Sequence, residues 1–135
     1  MRELTVDAVV ESLDAVTDFV DEGLEELDCP MKVMMQINVA VDELFSNIAR
    51  YAYPDGAGKA MVQIDALQDS REAVITFIDQ GIPYDPLKKE DPDVTLSANE
   101  REVGGLGIFL VKKIMDDMKY EYKDGQNILK IFKKL

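Results

Sequence analysis

A carboxylate and a carboxamide stand four residues apart in the segment VDELFSNIARYAY, which runs from Val41 to Tyr53. If this segment is helical, Glu43 and Asn47 project from the same side, because residues i and i+4 are neighbours on a helix surface. Together they could serve as a base and a metal ligand. Read alone, such a pair is more often a solvated helix edge.

A second candidate is the segment Asp79-Gln80-Gly81, which follows an apolar stretch. A carboxylate at the end of a strand can accept a hydrogen bond from an exocyclic amine, such as the amino group of adenine. Gly81 would let the backbone come close to a flat ring, because glycine has no Cβ. On its own, an Asp-x-Gly sequence more often marks a simple turn.

The third candidate is the glycine-rich segment Gly104-Gly105-Leu106-Gly107. Backbone N–H groups at a helix N-terminus can bind an anion, and the helix dipole assists. The segment is not a dinucleotide-binding fingerprint, because no strand immediately precedes it and position 110 is Leu. It is not a P-loop either, since no Gly-Lys-Ser/Thr follows. By itself it is equally compatible with a plain, flexible helix start.

Two helices are predicted in the N-terminal part of the chain. Apolar residues at helical spacing predict the first over residues 7–27, and its stripe includes Val6, Val9 and Val10. The second is predicted to begin with Pro30 as its first residue and to end near Ala52. It therefore carries both Glu43 and Asn47. A short strand is possible before the first helix, and a turn follows the second.

The remaining chain predicts strands, a long loop, a third helix and a hairpin. Residues 60–66 and 73–78 have strand patterns, and residues 80–103 form a loop of a length that is more often functional than not. A third helix opens within residues 104–107. Asp124-Gly125 indicates a type I′ hairpin. One sheet face would then hold Met118, Tyr120, Tyr122, Leu129 and Ile131. This order predicts an α+β fold with helices on one face of a mostly antiparallel sheet.

Composition limits the classes of function. The 135 residues fit a single domain, residues 1–135, with 47% hydrophobic and 31% charged residues. One Cys and no His exclude an internal disulfide, a zinc site of the usual ligands and catalysis by histidine. No apolar stretch reaches the length of a membrane span, and the N-terminus has no signal-peptide pattern. We therefore expect a cytoplasmic protein that does not bind membranes.

The net charge of −12 is unevenly distributed along the chain. Residues 1–58 contain 13 acidic and 3 basic side chains, whereas residues 59–135 contain 14 and 12. An acidic surface repels phosphate backbones, so direct binding of nucleic acid is not expected. The acidic first helix would suit a basic protein partner, or it is a solvated face that aids solubility.

Taken in order, the three candidate segments resemble the N box, G1 box and G2 box of the GHKL ATPase and kinase superfamily. The closest resemblance is to the small anti-sigma-factor serine kinases. The matching segments are VDELFSN (41–47), DQGIPYDP (79–86) and GGLGIFLV (104–111). The resemblance runs from about Val33 to the C-terminus. It implies a Bergerat-type two-layer sandwich with three main helices on one face of a mixed, mostly antiparallel sheet, and an ATP lid.

The resemblance also implies a role for each matching residue. Asn47 would coordinate the Mg²⁺ that bridges the ATP phosphates. Glu43 would take the proton from the attacking hydroxyl. Asp79 would receive the adenine amino group, and Gly81 would let the ring lie close. The remaining cofactor-binding residues would be Gly104, Gly105, Leu106 and Gly107, with backbone donors from Gly105 and Gly107.

The loop from about Pro86 to Val103 would be the ATP lid. Arg101 could reach a phosphate from it, but no motif fixes that role, and a solvated arginine is the simpler interpretation. The lid is rich in acids, so its closure would depend on a partner. Related N boxes often carry a His one turn after the Asn, whereas this chain has Arg50-Tyr51 in that region, which leaves the rim of the pocket open to question.

The implied function is that of an ATP-binding anti-sigma factor with serine/threonine kinase activity towards a STAS-domain anti-anti-sigma protein. A homodimer is implied by the resemblance alone. An alternative is a non-catalytic, ATP-dependent module that holds a sigma factor or another protein. The detached catalytic domain of a histidine kinase is disfavoured, because the chain has no His to phosphorylate and no predicted pair of dimerisation helices.

Overall fold

Five strands and three helices form the fold of the described residues, which are 1–67, 69, 71–88 and 105–135 of a computed structural model. The strands are β1 (Arg2–Asp7), β2 (Lys59–Leu67), β3 (Glu72–Asp79), β4 (Asp117–Lys123) and β5 (Gln126–Lys134). The helices are α1 (Leu13–Glu26), α2 (Met31–Tyr51) and α3 (Gly105–Ile114). Within these residues, no helix is both long enough and apolar enough to cross a membrane.

The strands form one sheet in the order β1-β2-β3-β5-β4, and each pairing is antiparallel. The prediction of an α+β fold with helices on a mostly antiparallel sheet is confirmed, and nothing in the described sheet is mixed. β3 lies in the centre. Its last residue, Asp79, stands opposite Ala60 on β2 and Asn127 on β5. The middle of the sheet therefore ends in polar side chains.

The core lies between the sheet and the helices. Side chains alternate between the two faces of a strand, so every second residue of the central strands is buried against the helices. Each buried aliphatic or aromatic side chain contributes about 1.5–3 kcal/mol of burial free energy. The fully or almost fully buried residues include Val62, Ile64, Ile75, Phe77 and Ile131 from the strands and Ile37, Val41, Leu44 and Phe45 from α2.

The predicted start of the first helix is wrong. β1 pairs with β2 up to Asp7, a single 3₁₀ turn follows at Val10–Ser12, and α1 begins only at Leu13. Val9 has an extended backbone, and its side chain is 39% exposed. The helical spacing of Val6, Val9 and Val10 was misleading, because Val6 belongs to a strand and packs on the core from there.

Pro30 precedes the second helix and is not its first residue, so that prediction is wrong by one position. Its φ of −60° and ψ of 145° are extended, and its carbonyl accepts the N–H of Met34 at 2.9 Å. Accepting the first helical hydrogen bond from an extended residue is the role of an N-cap. α2 ends at Tyr51, next to the predicted end at Ala52.

The predicted strands and the hairpin are confirmed. Residues 60–66 and 73–78 lie inside β2 and β3. Asp124 and Gly125 both have positive φ, as a type I′ turn requires. The register pairs Tyr120 with Leu129 and Met118 with Ile131, so the predicted shared face is correct. Gly104, Arg101 and most of the predicted lid (residues 89–103) lie outside the described residues.

Candidate functional site

A cavity opens between the C-terminal half of α2, the ends of β3 and β5, and the segment that follows β3. The space between these elements is about 650 Å³, a figure that includes open solvent. The walls are mostly apolar, with a few polar groups among them. The apolar lining includes Leu44, Ile48, Phe77, Ile108 and Leu129, and the polar lining includes Asn47, Asp79 and Asn127.

Asp79 is a buried carboxylate at the edge of the sheet, with 6% of its surface exposed. Its Oδ1 accepts the backbone N–H of Gly81 and the Nδ2–H of Asn127, each at 2.9 Å. Two donors on one oxygen keep the ionised group satisfied and hold its plane fixed. An apolar cavity with one oriented carboxylate is suited to a flat ring that carries an N–H donor.

Gly81 lies against the end of α2. A Cβ at this position would clash with the backbone carbonyl of Ala52, and the N–H of Ile82 donates to the same carbonyl at 2.9 Å. The close approach of these two backbones therefore requires a glycine here. This packing is a reason for the glycine that the sequence did not reveal, and it stands beside the predicted approach of a ring.

The side chain of Tyr53 also holds the segment that follows β3. Its hydroxyl donates to the carbonyl of Lys59 at 2.6 Å and accepts the N–H of Gln80 at 2.7 Å. Burial raises the pKa of Tyr53 above its ordinary value, and the nearby negative charge of Asp79 acts in the same direction. The phenol is therefore neutral at physiological pH and able to make both hydrogen bonds. It links the start of β2 to the end of β3.

Glu43 and Asn47 lie on one side of α2, and both side chains are half-buried. Asn47 lines the cavity, together with Asp79. Glu43 reaches the first turn of α3, where its Oε2 occupies the place that a Cβ on Gly107 would need. The fold thus brings the predicted base to the glycine segment, although 60 or more residues separate them in the sequence.

The structure brings most of the predicted site residues into one region. Gly105, Leu106 and Gly107 form the first turn of α3, and Gly104 lies outside the described residues. Free N–H groups at the start of a helix are suited to an anion. Asp79 and Asn47 line one cavity, and Glu43, four residues before Asn47 on α2, contacts the start of α3.

Residues 6–133 match the family of histidine kinase-like ATPase domains. The chain belongs to this family. The match covers nearly the whole chain, including all three candidate segments. The fold and the order of the polar segments thus agree with the resemblance on which the site was predicted.

Named relatives of this ATPase domain are similar at modest identity. The anti-sigma F factor of Clostridium acetobutylicum is 28% identical over 109 residues, which are 81% of this chain and 75% of that protein. The serine/threonine-protein kinase BtrW of Bordetella bronchiseptica is 28% identical over 98 residues, covering 73% and 68%. The serine-protein kinase RsbW of Listeria monocytogenes is 29% identical over 98 residues, covering 69% and 61%.

Asn127, a polar residue of this ATPase domain, was not singled out from the sequence. It is 6% exposed and bonds to Asp79 and to the carbonyl of Ile82. A signal was present. The predicted hairpin register puts residue 127 on the same face as Leu129 and Ile131, and a polar residue on a buried face needs a partner.

Tyr120 was predicted to share a sheet face with Leu129 and Ile131, but it was not predicted to belong to the site. Its hydroxyl donates to Oδ1 of Asn127, and its ring lines the cavity. Burial raises the pKa of Tyr120 above the ordinary value, and the negative charges of Asp85 and Asp79 add to the effect. The phenol is therefore a neutral donor. Tyr120, Asn127 and Asp79 form one hydrogen-bonded chain at this end of the cavity.

Proposed function

We propose that this protein is an ATP-binding anti-sigma factor that phosphorylates a serine or threonine of a STAS-domain anti-anti-sigma protein, and so regulates transcription by partner switching. One observation carries the proposal: Glu43 contacts Gly107 of α3 beside the cavity that Asn47 and Asp79 line. The names of the relatives support the class of partner and the kinase activity.

Adenine recognition is proposed for the end of the cavity around Asp79. A carboxylate with one oxygen already satisfied would accept the 6-amino group with the other. The apolar walls would cover the faces of the ring. Gly81 would keep the backbone near the ring edge, in addition to its packing against Ala52. This end of the site supplies affinity and selectivity for the base.

Mg²⁺ would bind at Asn47. Asn47 lines the cavity, and its carboxamide oxygen is a suitable ligand for a hard cation. The described residues contain no group of three or more His, Cys, Asp or Glu side chains that could hold a metal by themselves. The other ligands would therefore be phosphate oxygens and water, as is usual for Mg²⁺, which would neutralise the charge of the phosphates.

Glu43 would act as the base, and the start of α3 would hold the phosphates. The carboxylate accepts the proton of the attacking serine or threonine hydroxyl, whose oxygen bonds to the terminal phosphorus as ADP leaves. The backbone N–H groups of Gly105 and Gly107 would stabilise the phosphate oxygens. The predicted lid, residues 86–103, would exclude water from the transfer.

The decisive experiment combines the protein with labelled ATP and its STAS-domain partner. We expect the label on a serine or threonine of the partner, and none when Mg²⁺ is chelated. Nucleotide binding without any transfer would contradict the kinase activity and leave the alternative of a non-catalytic module.

That alternative is favoured by one observation on α1. Arg2 pairs with Glu22 and Glu26, but Asp14, Asp18 and Glu25 are exposed on the same helix, which makes its outer face strongly acidic. Such a face suits a basic partner. Neutralising these three acids should weaken binding of the sigma factor by a salt-dependent amount and leave ATP affinity unchanged. Glu121→Gln, on the exposed face of β4, is the matched control.

We also expect a homodimer, on the resemblance alone, and an activity in the cytoplasm, where sigma factors act. Light scattering of the purified protein at several concentrations measures the mass directly. A monomer at the concentrations used for the kinase assay would contradict the dimer without affecting the proposed chemistry.

A further inference from the structure

The carboxamide of Asn127 has its full hydrogen-bonding capacity in use. Nδ2 donates to Oδ1 of Asp79 and to the carbonyl of Ile82, both at 2.9 Å. Oδ1 accepts the N–H of Tyr84 at 3.1 Å and the hydroxyl of Tyr120. A carboxamide offers two N–H donors and two lone pairs on its oxygen, so all four are matched.

These partners allow only one orientation of the amide. With oxygen and nitrogen exchanged, the oxygen of Asn127 would face the carboxylate of Asp79 and the carbonyl of Ile82, and its NH₂ group would face the N–H of Tyr84. Three favourable contacts would become unfavourable. Buried groups left without a matching partner cost about 1–3 kcal/mol each. The N–H of Asn127 is therefore fixed towards Asp79.

This orientation also fixes the carboxylate. Asn127 and the backbone of Gly81 both donate to Oδ1 of Asp79. A carboxylate with two donors on one oxygen cannot rotate freely about its bond to Cβ, because rotation would break both bonds. Within the part of the chain that the structure describes, Oδ2 is then the oxygen that remains for a ligand in the cavity.

We propose that Asn127 is a positioning residue that makes the site selective for a 6-amino purine by fixing the acceptor oxygen of Asp79. The inference rests on the proposed ATP site and names what determines its choice of base. A purine with an amino group at position 6 offers an N–H to the fixed oxygen. A purine with a carbonyl there presents a second acceptor and is repelled. Without Asn127, the carboxylate is held by one donor and loses its direction.

The test compares two nucleotides that differ only in the 6-amino group: ATP and purine riboside triphosphate. For Asn127→Ala, we expect ATP affinity to fall on the order of tenfold, because a charge-assisted hydrogen bond is misdirected. Affinity for purine riboside triphosphate should change less than about twofold, since this nucleotide makes no bond to the carboxylate. The readout is the dissociation constant for ATP divided by that for purine riboside triphosphate, both measured by calorimetry.

Thr76→Val is the matched control. Thr76 is also 6% exposed and lies on β3, but on the opposite face of the sheet from Asp79. The substitution perturbs a buried polar position of the central strand without touching the cavity, so the ratio of the two dissociation constants should stay at the parent value. A shift in this control equal to that of Asn127→Ala would overturn the inference, because any disturbance of β3 would then suffice.

A structural role and a positioning role give different results. Equal losses for both nucleotides would show that Asn127 only supports the fold, and no loss for either would show that it has no role; both overturn the inference. If Asn127→Ala does not fold, Asn127→Asp keeps the shape and replaces the donor with an acceptor, and the dissociation constant for ATP must rise there too, relative to that for purine riboside triphosphate. A parent protein that binds neither nucleotide would instead contradict the proposed function.

Discussion

The two ends of the candidate site, one around Asp79 and the other around Glu43, differ in what holds their polar groups. At the first end, hydrogen bonds tie the carboxylate and the following segment to α2 through Ala52 and to β5 through Asn127. At the second end, Glu43 and Asn47 are positioned by α2 itself, and Glu43 contacts α3 at Gly107. The proposed recognition of adenine thus depends on the folded framework, whereas the proposed transfer chemistry depends on individual side chains.

Glu43→Ala should separate the two ends most clearly. We expect phosphoryl transfer to the STAS-domain partner to fall by about 10²–10⁴-fold, the usual contribution of a general base. ATP affinity and thermal stability should change little, because the Glu43 carboxylate is not proposed to bind adenine and is not part of the core. Transfer is measured with labelled ATP in a single turnover.

Asp42→Asn is the control for this change. Asp42 is the neighbouring carboxylate on α2, and it is exposed and accepts a hydrogen bond only from Ser46 of the same helix among the described residues. It should retain the full transfer rate. A Glu43→Ala protein that also transfers at the parental rate would remove Glu43 from the mechanism and leave the Glu43 end without a chemical role.

Asp79→Ala should affect binding and stability together, unlike the change at Glu43. Its removal leaves the N–H groups of Gly81 and Asn127 without their acceptor, at a cost of about 1–3 kcal/mol in the free energy of unfolding. ATP affinity should fall at least tenfold, because the 6-amino group loses its partner. Urea denaturation and nucleotide titration measure the two effects. Unchanged stability would contradict a pre-formed framework at this end.

A pair of glycine substitutions gives the same contrast with a smaller effect. In Gly81→Ala, the new Cβ meets the backbone carbonyl of Ala52, so we expect a loss of about 1–3 kcal/mol in stability, as for other overpacked sites. In Gly107→Ala, it meets the end of the Glu43 side chain, which can move aside. The melting temperature should therefore drop in the first variant. In Gly107→Ala, the transfer rate should drop while the melting temperature is kept. A lower melting temperature in Gly107→Ala than in Gly81→Ala would contradict the difference between the two ends.

The smallest expected effect concerns alkaline stability at the Asp79 end. The folded-state pKa of Tyr53 is raised above its ordinary value of 10.0, mainly by burial. The stabilisation that this provides is fully present below pH 10 and is lost as the pH rises through the raised pKa. Tyr53→Phe should make the unfolding free energy less dependent on pH above 10. In Tyr122→Phe, where the ring is 47% exposed on β4, the dependence should stay as in the parent.

Local patterns predicted most of the framework correctly. The hairpin depends on Asp124-Gly125, whose turn chemistry is contained in two residues, and β2 and β3 depend on alternation over a few residues. The start of α1 was wrong because valines at helical spacing continued into β1. There, pairing with β2 decided the conformation, and that pairing lies more than fifty residues away in the sequence.

The residues of the candidate site that could be predicted from the sequence are those that belong to a motif. Glu43, Asn47 and Asp79 were found because each belongs to a recognisable segment. Asn127 belongs to none, and its role depends on a hydrogen bond across 48 positions to Asp79. A register between strands that far apart is set by the whole sheet. The local hairpin pattern places Asn127 on the face of Leu129 and Ile131, but it does not identify Asp79 as its partner.

Helix α2 takes part in both ends of the site. Glu43 and Asn47 stand in its second half, and Ala52, the residue that follows it, accepts the hydrogen bond from Ile82. At 1.5 Å per residue, the helix sets an axial distance of about 14 Å between Glu43 and Ala52. The helix therefore fixes the distance between the two ends of the site. One residue inserted between them would turn Glu43 by about 100° relative to the Asp79 end of the site, so we expect this stretch to tolerate substitutions far better than changes in length.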